Sequence, residues 1–281
     1  MSAPRIPYGR MPRGPRARIV LGVSTSPARL ERDGALTVLT LDHPPLNLFD
    51  SEMIEALASL TEQLAAEPPR GLLIHAEGRV VSGGVNVNIF HGLSPEDAAT
   101  MWHRVLAIAQ RVERLPCPTV FAAHALTLTA SFELALACDI ILAAEGAKFG
   151  LVEVQVGITP AMGGSQRLAE RAGHGRAREL VMTGELFGAE TMHEWGVVNR
   201  IYPAGEFDAA AREFARALAD GPTLAHAATK KIIRGYLDGG TAAADDLIPE
   251  TVGDLFATDD TRNAVETFLA EGPGRARFSG R

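Results

Sequence analysis

The chain has 281 residues, 46% hydrophobic and 22% charged, which is the composition of an ordinary globular protein with a large core. No stretch approaches the roughly 18 to 20 apolar residues that cross a bilayer. A net charge of −7 argues against nucleic acid as the main partner. Cys117 and Cys138 have no metal-binding spacing, so we expect buried free thiols, no metal, and a cytoplasmic location. Arginine far outnumbers lysine, as is typical of GC-rich bacterial genomes.

The first eighteen residues differ from the rest of the chain. They hold arginines and prolines but no acidic residue, and they lack the apolar segment of a secretory signal. The sequence therefore predicts a flexible basic leader over residues 1–18, followed by a core over residues 19–204. The arginines of this leader are Arg5, Arg10, Arg13, Arg16 and Arg18.

The first predicted elements are two strands, over residues 19–24 and 35–42, with a hairpin turn at Asp33-Gly34 before the second. Two prolines after His43 end that strand. Asp50 or Ser51 then caps a helix that extends to about residue 66. A short buried strand over residues 71–76 and a Gly-containing loop follow, and Ser94-Pro95-Glu96 opens a second helix that extends to Arg114.

Strands and helices continue to alternate, which predicts βαβ crossovers and a mostly parallel sheet. The remaining elements of this part are strands over residues 118–124, 139–144 and from 149 towards 156, and a short helix over residues 130–137. After about residue 161 the pattern is almost wholly helical, apart from residues 197–202. Residues 205–281 read as several helices with apolar faces, which predicts a C-terminal oligomerisation region.

Two glutamates interrupt apolar runs: Glu133 in ASFELALA and Glu153 in FGLVEVQV. A lone carboxylate in such surroundings loses hydration worth several kcal/mol, so it must find partners or bind a proton. Either outcome tunes the group for acid or base catalysis near neutral pH. For either glutamate alone, a structural explanation is as good as a catalytic one: one would be a helix residue at the edge of a buried stripe and the other a strand residue facing solvent. The pair favours a catalytic role.

Several strings in chain order resemble the enoyl-CoA hydratase/isomerase (crotonase) superfamily. They are LDHPPLN at residues 41–47, SGGVNV at 82–87, PTVFAA at 118–123, ELALACDI at 133–140, and FGLVE at 149–153 with PAMGGSQRL at 160–168. The resemblance implies an α/β fold of the crotonase (ClpP-like) type, with stacked ββα spiral turns and a C-terminal helical trimerisation region. It also implies a homotrimer or a dimer of trimers.

The same resemblance implies a lyase of fatty acid metabolism that adds water to a 2-enoyl-CoA. In this family, backbone N–H groups form an oxyanion hole, and by position these belong to Val85 and Ala130. Glu133 would orient and activate the water, and Glu153 would deliver a proton to the α-carbon. The loop residues carried over as contacts to the CoA are Pro45, Leu46, Gly84 and Val87. No cofactor is implied apart from the CoA of the substrate itself.

The chain departs from the family in the segment before the first glutamate. The family has several glycines there, whereas this chain reads HALTLTASFE over residues 124–133. Glycine at such positions permits unusual backbone angles and close approach of a ligand. Thr129, Ala130 and Ser131 add side-chain atoms on the path of the thioester, which predicts an oxyanion hole that is narrowed, re-aimed or lost. Thr129 is also a candidate N-cap of the short helix.

These departures leave two alternatives to a hydratase. One is an altered crotonase that isomerises a non-standard substrate, or hydrolyses a C–C bond of a CoA-free diketone with His124 as a base. We favour a structural role for His124, bonded to backbone. The other is a catalytically silent crotonase-fold subunit, for which the Ala130 amide would be blocked. No nucleotide-binding motif is present to support redox or phosphoryl chemistry.

Overall fold

The computed structural model describes residues 26–281, so the basic leader and the strand predicted at residues 19–24 lie outside the described residues. A six-stranded sheet has the order β1-β2-β3-β4-β6-β9, and β5, β7 and β8 form a second sheet. In chain order the strands are β1 (Ala28–Asp33), β2 (Leu36–Leu41), β3 (Gly71–Ala76), β4 (Thr119–Ala123), β5 (Thr127–Leu128), β6 (Ile140–Ala144), β7 (Lys148–Gly150), β8 (Phe187–Gly188) and β9 (Arg200–Tyr202). All neighbours in the larger sheet are parallel except β1 and β2.

The predicted hairpin is present, but its first strand is β1, which the sequence analysis did not predict. The turn falls at Gly34, whose φ of 67° suits glycine. β1 carries Arg29, Glu31 and Arg32 because it is an edge strand, and charged side chains keep an edge from pairing with other chains. A strand with so many charges lacks the apolar pattern by which β2 was predicted.

The first two helices start where their capping residues predict. α1 (Ser51–Ala66) follows Asp50, whose carboxylate accepts a hydrogen bond from the Met53 N–H. α2 (Pro95–Glu113) follows Ser94, whose hydroxyl accepts one from the Asp97 N–H. Both helices add apolar side chains to the larger hydrophobic core. The other face of the sheet is covered by α7 (Phe207–Ala219).

The strand predicted from residue 149 towards 156 is wrong beyond Gly150. β7 ends there, and Glu153–Val156 forms a short 3-10 helix that ends at Gly157, where φ is 77°. Val154 and Val156 are 42% and 52% exposed, and Val156 lines a cavity. The alternating apolar pattern therefore marks a cavity wall and not a strand of the sheet.

The remaining helices are α3 (Ala130–Leu136), α4 (Gly164–Ala172), α5 (His174–Thr183), α6 (Ala189–Glu194), α8 (Thr223–Leu255) and α9 (Asp259–Glu271). α8 bends at Gly240, where φ is 76°. The C-terminal tail is held to α9, because the Asp260 carboxylate accepts hydrogen bonds from the N–H groups of Ser279 and Gly280. Within residues 26–281 no helix has the length and apolar character needed to cross a membrane.

Candidate active site

One cavity of about 180 Å³ brings together most of the predicted site residues. Glu133 enters it from the first turn of α3, and Glu153 from the start of the 3-10 helix after β7. Val85 and Ala130 also line it, as does Val87 at its exposed edge. Pro45 and Leu46 lie exposed on the loop after β2, where the Leu46 side chain packs near Gly83, another lining residue. Gly84 is buried beside them and does not line the cavity.

Glu133 is 3% exposed and is held by backbone N–H groups. Its Oε1 atom accepts hydrogen bonds of 2.8 Å from Met162 and from Gly164. A Cβ atom at Gly164 would lie 2.7 Å from Glu133 Cγ, so only glycine allows this approach. The Gly163-Gly164 pair of the sequence motif thus lets the backbone approach and hold the carboxyl group of Glu133.

Glu153 is 7% exposed, and neither of its carboxyl oxygens has a hydrogen-bond partner within the described part of the chain. Burial raises its pKa to about 7. Burial, and secondarily the charge of Glu153, raises the pKa of Glu133 to about 8. Interacting carboxyl groups titrate as a pair, so the two share one proton between these pKa values.

Two residues that line the cavity, Val85 and Ala130, have backbone N–H groups with no hydrogen-bond partner among the described residues. Ala130 is the first residue of α3, so its N–H has no partner within the helix. The residues on both sides of Val85 are hydrogen-bonded to Phe49. The Phe49 N–H donates to the carbonyl oxygen of Gly84, and the Asn86 N–H donates to the carbonyl oxygen of Phe49. Neither the Val85 nor the Ala130 N–H donates a hydrogen bond to any residue in the range 26–281.

The loss of glycines before Glu133 leaves Ala130 among the residues that line the cavity. Thr129 has φ 47° and ψ −121°, a conformation that a β-branched residue rarely adopts. Its predicted capping role is wrong, because its hydroxyl makes no bond to α3 and is buried without a partner among the described residues. That hydroxyl faces Gly84, where a Cβ atom would lie 2.7 Å from it. The chain keeps a glycine-like backbone turn at the expense of local strain.

Strain at Thr129 leads to a prediction about stability. We expect Thr129→Gly to leave the free energy of unfolding unchanged or to raise it by about 1 kcal/mol, because relief of positive-φ strain is worth about 1–3 kcal/mol. Thr129→Val, which removes the unpaired hydroxyl and keeps the strain, is the control for the polar contribution. Urea unfolding of the three proteins measures both. Destabilisation of the glycine variant by the 2 kcal/mol usual for a buried truncation would contradict the prediction.

Arg167 supports the loop that holds Glu133, and the sequence analysis did not predict this role. Its guanidinium is 7% exposed and donates two hydrogen bonds of 2.9 Å to the Glu113 carboxylate of α2. A third bond, of 3.1 Å, goes to the carbonyl oxygen of Gly163. The loop before α4 therefore binds two side chains: the carbonyl oxygen of Gly163 accepts from Arg167, and the N–H groups of Met162 and Gly164 donate to Glu133. A buried arginine in the motif GGSQRL was the available signal, but its partner Glu113 is distant in sequence.

The other residues considered from the sequence lie outside the catalytic geometry. His124 Nε2 lies 3.1 Å from the carbonyl oxygen of Gly78, and His124 does not line the cavity. Both cysteines are buried free thiols, as predicted. Trp102 lines the cavity and His103 is exposed on α2. In the described range no group of three or more His, Cys, Asp or Glu residues is placed to hold a metal ion.

The raised pKa values of the two glutamates predict how stability depends on pH. Between about pH 5 and pH 8 the folded protein holds protons that the unfolded chain releases, so the free energy of unfolding falls as pH rises. We expect Glu133→Gln to raise Tm at about pH 8.5 and to change it little at about pH 5, because the variant has no buried charge to form. Calorimetric scans across this range test it. An equal change in Tm at both pH values would contradict the prediction.

Comparisons with known proteins define the family. The chain matches the family described as "Enoyl-CoA hydratase/isomerase" over residues 31–275. It is 30% identical over 240 residues to a Bacillus subtilis protein named "Probable enoyl-CoA hydratase", covering 84% of this chain and 93% of that protein. It is 33% identical over 208 residues to a carnitinyl-CoA dehydratase of Salmonella enteritidis, covering 73% and 79%.

The three-dimensional comparison agrees with the sequence comparison. A crystal structure of an enoyl-CoA hydratase subunit from Geobacillus kaustophilus superposes with a TM-score of 0.84 at 26% identity. The match covers 91% of this chain and 98% of that one. The chain therefore belongs to the enoyl-CoA hydratase/isomerase family and has the crotonase fold, with a C-terminal helical region, as its motifs indicated.

Proposed function

We propose that this protein is a hydratase that adds water across the double bond of a 2-enoyl-CoA thioester. One observation carries the proposal: two buried carboxyl groups with raised pKa values share an apolar cavity with two unpaired backbone N–H groups. Carboxyl groups in this state can exchange protons near neutral pH. The N–H groups can stabilise an oxyanion. Hydration of a conjugated thioester requires both.

In the proposed reaction the thioester oxygen accepts hydrogen bonds from the N–H groups of Val85 and Ala130. These bonds strengthen as the oxygen gains negative charge in the enolate-like transition state. The donors belong to a loop and to a helix start that other backbone bonds already hold in place. They therefore need little rearrangement when charge develops, which is the basis of their effect on rate.

The two glutamates divide the proton transfers. The pKa values of about 8 for Glu133 and about 7 for Glu153 alone would place the shared proton on Glu133. The hydrogen bonds argue the opposite way, because Met162 and Gly164 N–H groups stabilise the ionised form of Glu133, whereas neither Glu153 oxygen has a partner among the described residues. We give the hydrogen bonds more weight and assign the shared proton to Glu153. Glu133 removes a proton from the water as its oxygen bonds to C3, and Glu153 gives its proton to C2. The product is a 3-hydroxyacyl thioester, and solvent exchange returns the pair to its starting state.

The CoA would enter along the loops at the cavity mouth. Val87 is 53% exposed there, and Leu46 is 39% exposed beside Gly83. We propose that Pro45, Leu46 and Val87 contact the pantetheine arm, and that Gly84, which is buried beside them, supports this loop. The substrate brings the CoA with it, so the reaction needs no separate cofactor.

The direct test is a spectroscopic assay with crotonyl-CoA, in which hydration removes the absorbance of the conjugated thioester. We expect turnover with a 3-hydroxyacyl-CoA product identified by mass spectrometry. A product with a moved double bond would instead show isomerisation. Absence of any reaction with crotonyl-CoA and with longer 2-enoyl-CoAs would refute the hydratase proposal.

The site geometry argues against His124 as a base for CoA-free hydrolysis and against a silent subunit, whereas isomerisation is left to the assay. CoA-free hydrolysis with His124 as base requires that residue at the cavity, and its ring instead pairs with the Gly78 carbonyl. A silent subunit requires a blocked Ala130 amide, and Ala130 lines the cavity with its N–H unpaired among residues 26–281.

We also propose that the C-terminal helices pack against further copies of this chain, as a trimer or a dimer of trimers. Phe256, Phe268 and Leu269 are 72%, 58% and 80% exposed on or beside α8 and α9. Side chains of this size on neighbouring helices are typical of an interface. Light scattering during gel filtration measures the assembly directly.

A further inference from the structure

Most of the cavity wall beyond the two glutamates is made of hydrocarbon side chains. They come from the loop after β2, from α1 and α2, and from the segments before α2 and α4: Phe49, Ile54, Phe90, Trp102, Val105 and Ile158. The uncharged polar lining residues are Thr129, Gln155 and Thr159, and no lysine, arginine or histidine is among the described residues that line the cavity. The wall therefore offers apolar contact to an acyl group and no cationic partner for an anionic one.

The lining of the cavity is buried in one part and exposed in another. Phe49, Ile54 and Val105 are 1%, 7% and 3% exposed, so the part of the lining that they form is shut off from solvent. Val87 and Val156 are more than half exposed and mark the mouth. The rings of Phe90 and Trp102, with centroids 5.5 Å apart, form a side wall that joins α2 to the loop before it.

The volume limits how much of a substrate fits. The cavity measures about 180 Å³, and an apolar cavity of about 150 Å³ accommodates benzene, with its six carbons. By that ratio this cavity holds about seven non-hydrogen atoms. The thioester carbonyl, C2 and C3 account for four of them, which leaves room for about three carbons beyond C3.

We propose that the site selects 2-enoyl thioesters whose acyl group is neutral, apolar and about five to seven carbons long, with hexenoyl filling it. This inference rests on the proposed function. Each methylene buried in the cavity should tighten binding about fourfold, so a six-carbon acyl group gains about fifteenfold over a four-carbon group. A ten-carbon group exceeds the volume of the cavity and should lose this gain. A terminal carboxylate would be buried without a cationic partner, which costs about a hundredfold or more.

The experiment measures binding separately from chemistry. Calorimetry with the full chain determines Kd for butyryl-, hexanoyl-, decanoyl- and glutaryl-CoA, which are saturated and cannot be hydrated. We expect hexanoyl-CoA to bind most tightly and glutaryl-CoA most weakly. The kcat/KM values for the matching 2-enoyl-CoAs of four, six and ten carbons should follow the same order.

The two tryptophans of the chain provide a variant and its matched control. Trp102→Leu removes the outer part of the side wall, so the preference should move from the six-carbon towards the ten-carbon acyl group. Trp195→Leu changes a tryptophan that packs on Phe187 away from the cavity, and it should leave the order unchanged. If the Trp102 variant does not fold, the wild-type binding series still decides the matter.

The outcomes separate the two proposals. Graded binding without hydration would remove the hydratase proposal and keep the inference. Hydration with equal affinity for all four thioesters, or with decanoyl- or glutaryl-CoA bound as tightly as hexanoyl-CoA, would overturn the inference alone. Failure of every thioester to bind would overturn both.

Discussion

Glu153→Gln is expected to lower kcat for hydration of a 2-enoyl-CoA by a hundredfold to ten-thousandfold, the usual contribution of one acid–base group. Glutamine has the shape of a protonated glutamate but cannot give up a proton, so C2 would remain unprotonated. Burial holds the pKa of Glu153 at about 7, and this explains why the wild-type residue can carry a proton at neutral pH. KM should change little, because the amide still fills the same space.

The pH dependence of the rate supplies a second measurement. The wild-type profile should be bell-shaped, because the reaction needs one ionised and one protonated carboxyl group. In Glu153→Gln only Glu133 titrates. The fall in rate at high pH, which the loss of the proton from the acid causes in the wild type, should therefore disappear. Glu133→Gln combined with Glu153→Gln should be no slower than the slower single variant, because the two residues act as a unit.

A matched control is Glu145→Gln, the same substitution at an exposed residue directly after β6. It should leave kcat within about twofold, as surface substitutions usually do. If Glu153→Gln retains more than about a tenth of wild-type kcat, or if its pH profile matches that of the wild type, the proton-donor role is wrong.

Much of the fold could be predicted from the sequence because its signals are local. The Asp50 and Ser94 caps lie within three residues of the N–H groups that they accept from, and both helices begin as predicted. The buried parallel strands β2, β3 and β4 read as apolar runs because both of their faces are covered. β1 was missed for the opposite reason, since an edge strand is not required to be apolar.

The sequence predicted the two glutamates of the site, but it did not predict the backbone groups that hold them in place. Glu133 and Glu153 stand out because a charge inside an apolar run needs an explanation, and the structure brings both to one cavity. The two N–H groups that hold Glu133 come from residues about thirty positions away, and no side-chain pattern marks a backbone donor. The conformation of Thr129 could not be predicted, because its residue type disfavours the angles that the tertiary structure imposes.

These two groups of residues have different roles in the proposed mechanism. The glutamates supply the proton transfers, which depend on side chains that can be read in a sequence. The proposed oxyanion hole consists of backbone atoms, so it would survive the replacement of glycines by Thr129, Ala130 and Ser131 as long as the chain keeps the turn before α3. Departures from a glycine-rich motif therefore weaken a functional prediction less than the loss of either glutamate would.

Ala130→Pro tests the oxyanion hole by removing a single N–H group. Proline is well tolerated at the first position of a helix, where the N–H has no helical partner, and Ala130 is that position of α3. Thr129, at φ 47° and ψ −121°, is not in the extended region that a residue before proline prefers, so the substitution also strains this turn. In the folded variant kcat should fall by a hundredfold to a thousandfold, the cost of one oxyanion donor.

Ala130→Gly keeps the N–H group and is the matched control. It should stay within about threefold of wild-type kcat, because it removes only a methyl group that is 2% exposed. Tm measured for both variants separates an effect on catalysis from one on folding. If the proline variant folds, binds hexanoyl-CoA and hydrates its substrate at the rate of the glycine variant, the Ala130 amide is not a donor to the thioester. The oxyanion would then have to rely on Val85 alone, and a side chain such as that of Thr129 would have to replace the second bond.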